Sequence, residues 1–186
     1  MSELWDLLDE QRRPTGRTAA RHLGLKDGEL HVVVHVCLFN EEGQMLVQRR
    51  VDTKEDWPGL WDFSVGGSVQ AGETSREGAL REVREELGLD VELGRPSVTF
   101  NFEYGFDDFY LLRHDAALPL SAVPNEEVAE VRWADLDDVL GLLRTGQFIN
   151  YREQVVRFVF DSLDHRNISD GQNNDDRKAR VRPSRG

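Results

Sequence analysis

The chain has 186 residues, with 35 acidic against 23 basic side chains and a net charge of −12. This length suits one domain with a sizeable core, and the negative charge argues against a general nucleic-acid-binding or anionic-membrane surface. The single cysteine, Cys37, excludes an internal disulfide framework and fits a reducing compartment. The sequence contains neither a signal peptide nor an apolar run of membrane length, so we expect a cytoplasmic protein.

The first 50 residues predict a hairpin followed by a pair of sheet strands. Residues 3–20 predict two short strands joined by a turn around Arg12–Pro14, and a helix over residues 2–9 is the alternative. HVVVHVCLFN, which starts at residue 31, is a near-continuous apolar strand of the kind covered on both faces, and QMLVQRR returns as its hairpin partner. Residues 1–29 are therefore expected to form an N-terminal hairpin or extension.

The remainder of the chain predicts alternating strands and helices. In chain order we expect a strand over WDFSVGG (61–67), a charged helix, strands over residues 97–105 and 108–114 joined around Gly105–Asp107, a strand and helix over AEVRWADLDDVLGLLRTG with Asp135 as the cap, and an amphipathic helix over residues 150–163. This order predicts a single α/β domain over residues 1–163. Residues 164–186 are polar and are expected to form a disordered tail.

The most specific pattern is GSVQAGETSREGALREVREELGL, residues 67–89. In a helix, Glu82, Glu85 and Glu86 share one face within an arc of about 100°, beside an apolar stripe that packs on a core. Thr74 or Ser75 can cap the start of this helix, and Gly88 suits a left-handed C-cap. Clustered carboxylates repel one another, and a hard divalent cation relieves that repulsion. A solvated acidic face is the alternative explanation for REVREEL alone.

The whole segment resembles the Nudix box: glycine, five residues, glutamate, seven residues, then Arg-Glu-Val-x-Glu-Glu-x-Gly-Leu, with no gap or substitution. Over about residues 3–163 the chain is similar to the Nudix branch that includes isopentenyl-diphosphate isomerase and its hydrolase relatives. The matching stretches are HVVVHVCLFNEEGQMLVQRR, WPGLWDFSVGG and VRWADLDDV. This resemblance implies an α/β/α sandwich with a mixed β-sheet and a box loop–helix.

The resemblance also implies a Mg²⁺- or Mn²⁺-dependent hydrolase of a diphosphate linkage. The substrate would be a nucleoside diphosphate, or a nucleoside diphosphate linked to another group, and family members often form homodimers. The implied roles are metal ligation by Glu85, Glu86 and the Gly67 carbonyl, ligation or activation of water by Glu82, alignment of the glutamates by Arg81, and bracing of the loop by Glu73.

Residues outside the box extend this hypothesis. Arg50 and Lys54 match diphosphate-contacting positions of the isomerase branch, although solvated basic residues are the alternative. Arg49 and Arg50 are neighbours on a strand and point to opposite faces, so at most one faces the site. Glu126 or Glu127 could supply a glutamate from outside the box, against the alternative of a solvated loop. Aromatic residues that could stack a base, or pack in the core instead, are Trp57, Trp61, Phe63 and Trp133.

The chain departs from the isomerase pattern at residues 66–68. The isomerase has a catalytic cysteine, a glycine and a metal-binding histidine there, and this chain has Gly-Gly-Ser. Gly66 offers no group to deliver a proton to carbon, so isomerase activity is disfavoured. His22 and His31 could match two metal-site histidines, but we favour hydrogen-bonding or core roles, and we expect His35 to be a satisfied strand histidine. A non-catalytic nucleotide- or metabolite-binding module is the remaining alternative, and the intact carboxylates argue against it.

Overall fold

The computed structural model of the protein describes residues 3–114, 123–164 and 182–183. Its strands are β1 (Leu4–Leu8), β2 (Pro14–Ala20), β3 (His31–Phe39), β4 (Met45–Arg50), β5 (Trp61–Asp62), β6 (Val65–Ser68), β7 (Leu89–Asp90), β8 (Val98–Phe102), β9 (Gly105–Arg113), β10 (Val128–Ala134) and β11 (Arg182–Pro183). Its helices are α1 (Ser75–Leu87), α2 (Leu136–Arg144) and α3 (Glu153–Asp164). Apart from residues 61–67, the predicted strands and helices occur in the predicted order.

A mixed sheet forms the centre of the molecule. Its strand order is β10-β4-β3-β9-β8, with β5 added to β4 and β6 added to β3. Strands β3 and β9 are parallel, from the pair His31 and Gly105 to the pair Phe39 and Arg113, and the other pairs are antiparallel. β3 therefore lies in the interior of the sheet, which explains its nearly unbroken apolar sequence.

Helices cover both faces of this sheet. Val36 of β3 packs in one core with Val83 of α1. Cys37 and Phe39 point to the other face, where they share a second core with Val156 of α3 and with α2. The fold is therefore an α/β/α sandwich, as the resemblance implied. Cys37 is fully buried, and burial raises the pKa of its thiol well above the usual value, so it is a core residue.

The N-terminal hairpin is a small sheet of its own. β1 and β2 pair only with each other as named strands, and residues 4–8 are a strand rather than the alternative helix. Its contacts with the rest of the protein include a bridge between Leu8 and Leu30, a hydrogen bond from Ala71 N to Leu4 O (2.7 Å), and a paired contact from the Arg12 guanidinium to the buried Asp108 carboxylate.

The predicted single strand over residues 61–67 is wrong, because the segment crosses between two strands of the sheet. Trp61–Asp62 pairs with β4, whereas Val65–Ser68 pairs with β3. At the crossing, the buried Ser64 hydroxyl donates to Leu46 O (2.5 Å) and accepts from Leu38 N (2.8 Å). Ser64 thus satisfies backbone groups of both neighbours, a contact that alternation of side chains along one segment does not reveal.

The predicted turn around Gly105–Asp107 is also misplaced. β8 and β9 are joined at Glu103–Tyr104, and Gly105 is the first residue of β9. A Cβ atom at Gly105 would lie 1.9 Å from His31 O, and its φ is +144°. The glycine is therefore required for close approach to β3 inside the sheet rather than for a turn.

The C-terminal part of the chain is described only in part. α3 confirms the predicted final helix, with a start at Glu153 instead of residue 150. The predicted disorder of residues 164–186 lies outside the described residues, apart from the end of α3 and β11, which pairs with β7. Among the described residues, no helix is long and apolar enough to cross a membrane.

Candidate active site

Helix α1 is fixed at both ends by its own sequence. Thr74 is the N-cap: its hydroxyl accepts from Glu77 N (3.3 Å), and the Glu77 carboxylate accepts from Thr74 N (2.8 Å). This capping box uses the Glu77 side chain. Gly88 ends the helix in the left-handed conformation at φ 66°. Because Ala79, Val83 and Leu87 pack on the sheet, the Glu82 and Glu86 side chains are carried to the edge of the core.

Arg81 joins the box loop to the helix. Its guanidinium donates to both Glu73 oxygens (2.8 and 3.0 Å), to Glu82 Oε1 (2.8 Å), to Glu85 Oε2 (3.0 Å) and to the carbonyl of Ser68 (3.0 Å). Glu73 also accepts from Gln70 N in the loop. Such a planar donor with five N–H groups holds several carboxylates in fixed positions at once. Glu73 and Arg81 therefore lie where the resemblance implied a bracing role.

Strand β6 brings backbone against these carboxylates. A Cβ atom at Gly67 would lie 2.1 Å from Glu82 Oε1, so only glycine leaves room for the carboxylate there. The neighbouring Gly66 N donates to Glu86 Oε2 (3.1 Å), and Gln48 Nε2 of β4 donates to the same oxygen (2.8 Å). The sequence analysis missed Gln48, since a glutamine in an apolar strand carries no signal for a specific partner.

Glu82, Glu86 and Glu127 form a carboxylate cluster in which one oxygen of each lies within 4.8 Å of the others. Burial, together with the neighbouring acidic groups, raises the pKa of Glu82 to about 7 against the opposing effect of Arg81, and raises that of Glu86 to about 8. A set of close, buried oxygen ligands suits Mg²⁺ or Mn²⁺. Glu85 lies outside this cluster: its side chain is half exposed and is held by Arg81.

Glu127 reaches the cluster from the loop before β10. The side-chain oxygen of Asn125 accepts from Glu127 N and from Val128 N (both 2.8 Å), while its Nδ2 donates to the carbonyl of Glu86 (2.9 Å). Asn125 thus docks the loop on the end of α1. Glu126, the alternative in the sequence analysis, is exposed. Lys54 donates to Glu127 Oε2 at 2.5 Å.

A cleft of about 340 Å³ opens beside the cluster, and basic side chains also line it. Arg50 is buried there, with Nε donating to Asp56 O (3.0 Å). Arg49 points away and pairs with Glu130 (3.1 Å), as the strand alternation predicted. The cleft lining also includes Lys54 and, from the segment after the hairpin, Arg21.

Several cleft residues were not identified from the sequence. Asp62 and Tyr151 line the cleft and are hydrogen-bonded to each other (3.1 Å). His35 also lines it, with Nε2 3.5 Å from Asp107 Oδ1, and its Nδ1 has no hydrogen-bond partner among the described residues. His35 is therefore not the fully satisfied strand histidine that we expected. A single polar residue in an apolar strand does not indicate a site by itself. These residues are recognised as a group only once the structure shows which strands are adjacent.

The remaining candidates are divided between the core and the cleft rim. Of the four aromatic residues considered for stacking, Trp57 lines the cleft and is exposed, whereas Trp61 and Phe63 are buried. Trp133 packs partly buried against the α1 core. His31 is buried with its ring 4.4 Å from that of Trp5, and burial lowers its pKa to about 4. A neutral histidine packed on a tryptophan fits the core role that we favoured.

Comparison with known proteins supports this description. The NUDIX domain family model matches residues 29–176. An uncharacterised Nudix hydrolase from Listeria innocua is 47% identical over 151 residues, which cover 80% of this chain and 89% of that protein. An isopentenyl-diphosphate Delta-isomerase from Salmonella arizonae is 37% identical over 142 residues, 72% of this chain and 78% of that protein.

The fold agrees as well. A crystal structure of a Deinococcus radiodurans protein superposes with a TM-score of 0.70 at 29% identity, covering 83% of this chain and 98% of that one. The match of the family model spans most of the chain, including every residue of the box and of the carboxylate cluster. The chain therefore belongs to the Nudix family and is an enzyme of its hydrolase class.

Proposed function

We propose that this chain is a Mg²⁺- or Mn²⁺-dependent hydrolase that cleaves the diphosphate linkage of a nucleoside diphosphate, or of a nucleoside diphosphate joined to another group. One observation carries the proposal: the carboxylate cluster of Glu82, Glu86 and Glu127 lies beside a cleft that Arg50 and Lys54 also line. The carboxylates attract divalent cations and the basic side chains attract an anion. A diphosphate with its cations suits a cleft with such a lining.

The box residues would hold the metal. Glu82, Glu86 and Glu127 present oxygen atoms close together, and Glu85 and the Gly67 carbonyl are further ligands in our proposal. A bound cation would neutralise charge on the phosphate oxygens during hydrolysis. Glu82 would alternatively accept a proton from the attacking water, and a bound cation would hold its pKa below the metal-free value of about 7, so that it stays ionised near neutral pH. Our proposal keeps two roles open for Glu82, metal ligation and proton acceptance. The two roles predict different effects of metal concentration and of pH.

The basic residues would bind and orient the phosphates. Lys54 is paired with Glu127, so a bound phosphate would exchange this carboxylate partner for its own oxygens. Arg50 is held by Asp56 O and keeps further N–H groups for the ligand. Water attacks one phosphorus atom, the bridging P–O bond breaks, and the departing phosphate carries the bridging oxygen away. Arg50 and Lys54 would hold both phosphates in line during this step.

The isomerase relative bears on the substrate class. Its name says that it acts on isopentenyl diphosphate, so a diphosphate is a shared expectation for both proteins. Gly66 stands where the isomerase branch has its catalytic cysteine and provides no proton donor, which favours hydrolysis in this chain. The lone, buried Cys37 and the net charge of −12 support a cytoplasmic enzyme that acts on small molecules.

The test is metal-dependent phosphate release from a panel of nucleoside diphosphates, diphosphate sugars, dinucleotides and isoprenoid diphosphates. We expect release from at least one nucleoside diphosphate compound with Mg²⁺ or Mn²⁺, and none with EDTA. Glu86→Gln should abolish release while retaining the fold. Glu41→Gln removes the same charge from an exposed turn and should leave release unchanged.

Two results would overturn the proposal. The first is the absence of release from every compound, together with unchanged ligand binding in Glu86→Gln, which would indicate a binding module. The second is conversion of isopentenyl diphosphate to its isomer, which would show that Gly66 does not prevent isomerisation.

A further inference from the structure

The carboxylate of Glu86 is held through one of its two oxygens. The residue is 1% exposed, and its Oε2 accepts from Gln48 Nε2 (2.8 Å) and from Gly66 N (3.1 Å). Two hydrogen bonds occupy the two lone pairs of a carboxylate oxygen. Within the described part of the chain, no hydrogen bond or ion pair reaches Oε1. The two donors therefore leave Oε1 as the oxygen of Glu86 that is available to a cation.

Gln48 occupies a position where strand alternation favours an apolar residue. It lies on the same face of β4 as Leu46, which packs in the α1 core, whereas Val47 points to the opposite core. The Gln48 side chain is fully buried. Gly66 N is a backbone group and would be present with any residue except proline. The Gln48 amide is therefore the part of the Glu86 contact that depends on the choice of side chain.

The hydrogen-bonding capacity of this amide is only half satisfied. Its Nε2 donates to Glu86, but its Oε1 is buried and has no hydrogen-bond partner among the described residues. A buried carbonyl without a partner opposes folding, and an apolar side chain of similar length, such as methionine, would avoid that cost. Glutamine is therefore a poor choice for stability at this position. A local choice that disfavours stability is expected at functional sites, which points to a role in the metal site.

Such a role would be indirect. Gln48 is not among the residues that line the cleft, so it does not touch a ligand there. Its Nε2 contacts Glu86, which belongs to the carboxylate cluster with Glu82 and Glu127. Any effect of Gln48 on the reaction therefore passes through the position of the Glu86 carboxylate. Hydrogen bonds to a metal-binding carboxylate orient it and commonly set the metal affinity of the site.

We propose that Gln48 is a positioning residue of the metal site: it holds Oε2 of Glu86 so that Oε1 is presented to the cation together with oxygens of Glu82 and Glu127. This inference rests on the proposed function and adds a determinant of its metal use. Without the amide, the Glu86 carboxylate turns more freely, and the cation loses a ligand that is oriented in advance. The loss falls on metal affinity, because the carboxylates themselves are all still present once the metal is bound.

The test is the affinity for Mn²⁺ without substrate, measured by calorimetry on the full chain and on its Gln48→Met variant. Methionine has nearly the same length as glutamine, and it removes both the donor and the unpaired carbonyl. We expect the dissociation constant to rise by about ten- to a hundredfold, as is typical when a metal ligand loses a hydrogen-bond partner. The kcat at saturating Mn²⁺ should fall by less than about threefold, since the effect is on binding of the metal.

Two further variants and one further measurement assign the effect to the amide. Gln48→Leu removes the same donor with a different apolar shape and should weaken Mn²⁺ binding to a similar degree. Gln44→Met is the control, since it removes a hydrogen bond from Asn40 (2.9 Å) in the turn between β3 and β4, and it should keep the dissociation constant of the parent chain. Thermal unfolding in EDTA should give Gln48→Met a Tm within a few degrees of the parent, because the lost hydrogen bond and the relieved carbonyl oppose each other.

The outcomes separate this inference from the proposed function. An Mn²⁺ dissociation constant that both apolar variants leave unchanged overturns the positioning role. A Tm in EDTA that falls by more than about ten degrees in both variants also overturns it, because Gln48 would then act on folding. Metal-dependent hydrolysis with unchanged Mn²⁺ affinity would keep the hydrolase and remove the positioning role. Weaker Mn²⁺ binding by Gln48→Met in a chain that hydrolyses no compound would keep the positioning role and remove the hydrolase.

Discussion

The two walls of the cleft are built in different ways. The box wall, residues 67–88, is one continuous loop and helix in which Arg81 holds Glu73, Glu82 and Glu85. The far wall consists of His35, Arg50, Lys54, Asp62, Glu127 and Tyr151, which come from separate strands and loops. Local spacing fixes the first wall, and the pairing of distant strands assembles the second.

This difference separates the expected roles. A metal site needs its carboxylates within a few ångströms of one another, and a rigid helix supplies that fixed spacing. A surface that recognises a variable part of a substrate can be changed one residue at a time when its residues come from different segments. We therefore expect changes in the box wall to act mainly on kcat and metal use. Changes in the far wall should act mainly on KM and selectivity, except at Glu127, which belongs to the carboxylate cluster.

The largest effect is expected within the box wall itself. Glu82→Gln and Glu85→Gln remove the same charge, but Glu82 lies in the carboxylate cluster and Glu85 is half exposed outside it. We expect kcat/KM to fall by about a thousandfold for Glu82→Gln and by about tenfold for Glu85→Gln, because a buried group at the reacting phosphate contributes most. Steady-state kinetics at saturating Mg²⁺ measure both.

A metal titration of the Glu82→Gln variant then distinguishes its two roles. If Glu82 is a ligand, more Mg²⁺ is needed for half-maximal rate. If it accepts the proton, metal affinity is kept, and the dependence of kcat on the ionisation of this carboxylate is lost from the pH profile. Equal losses for the Glu82 and Glu85 variants would contradict the arrangement of the cluster.

Glu127 tests whether the far wall shares in metal binding. Glu127→Gln should lower kcat/KM by about thirtyfold and raise the Mg²⁺ requirement, because a metal site loses one of its few charged ligands. The measurement is the dependence of rate on Mg²⁺ concentration. Glu126→Gln is the matched control, since the Glu126 side chain neighbours Glu127 in sequence but is exposed. The same loss in both variants would indicate a general effect of loop charge and would break the proposed division of roles.

Arg50 tests phosphate binding by the far wall. Arg50→Ala should raise KM about tenfold with a smaller change in kcat, because it removes a charge-assisted contact to the substrate. Arg49→Ala removes the same side chain one residue earlier, on the opposite face, where it pairs with Glu130. That variant should leave KM unchanged. A fall in kcat alone for Arg50→Ala would move this residue to a role in the chemical step.

The smallest effect concerns stability and pH. The pKa values of Glu82 and Glu86, about 7 and about 8, lie above the value of 4.5 for an ordinary glutamate. As pH rises from about 4.5 to 8, the unfolded chain releases these protons before the folded chain does, so the metal-free protein loses stability. Mg²⁺ binds the ionised carboxylates. It should therefore raise Tm more at pH 8 than at pH 6, by a few degrees, or roughly 1 kcal/mol.

Thermal unfolding with and without Mg²⁺ at the two pH values makes this measurement, with Glu86→Gln as a control that should weaken the difference. An equal Mg²⁺ effect at both pH values would show that these carboxylates are not the binding groups.

The same contrast explains what the sequence predicted. The α1 helix, its Thr74 and Gly88 caps and the contacts of Arg81 with Glu85 follow from intervals of three to eight residues, and the structure contains all of them. The sheet alternation at Arg49 and Arg50 was also local and correct. Features governed by short intervals are accessible from one sequence because the helix and strand periods are constant.

Features governed by distant contacts were not predictable. Ser64 divides the predicted strand because it bonds to Leu38 and Leu46, and Gly105 is a strand residue because His31 lies against it. The position of His35 beside Gly66 likewise depends on the pairing of β3 with β6. The spacing of residues along the sequence does not specify which strands pair. The pairing is fixed by the hydrophobic cores on both faces of the sheet.

The N-terminal hairpin has a consequence for how such enzymes diversify. It precedes residue 29, where the family match begins, and it forms its own small sheet. Even so, Glu3 and Arg21 from this region line the cleft, and Asp6 accepts a hydrogen bond from Gly72 N in the box loop (2.7 Å). A module with its own backbone pairing can lengthen, shorten or change composition without a new register in the central sheet. Evolution, or an engineer, can thus reshape the mouth of the cleft while helix α1 and its carboxylates are kept unchanged.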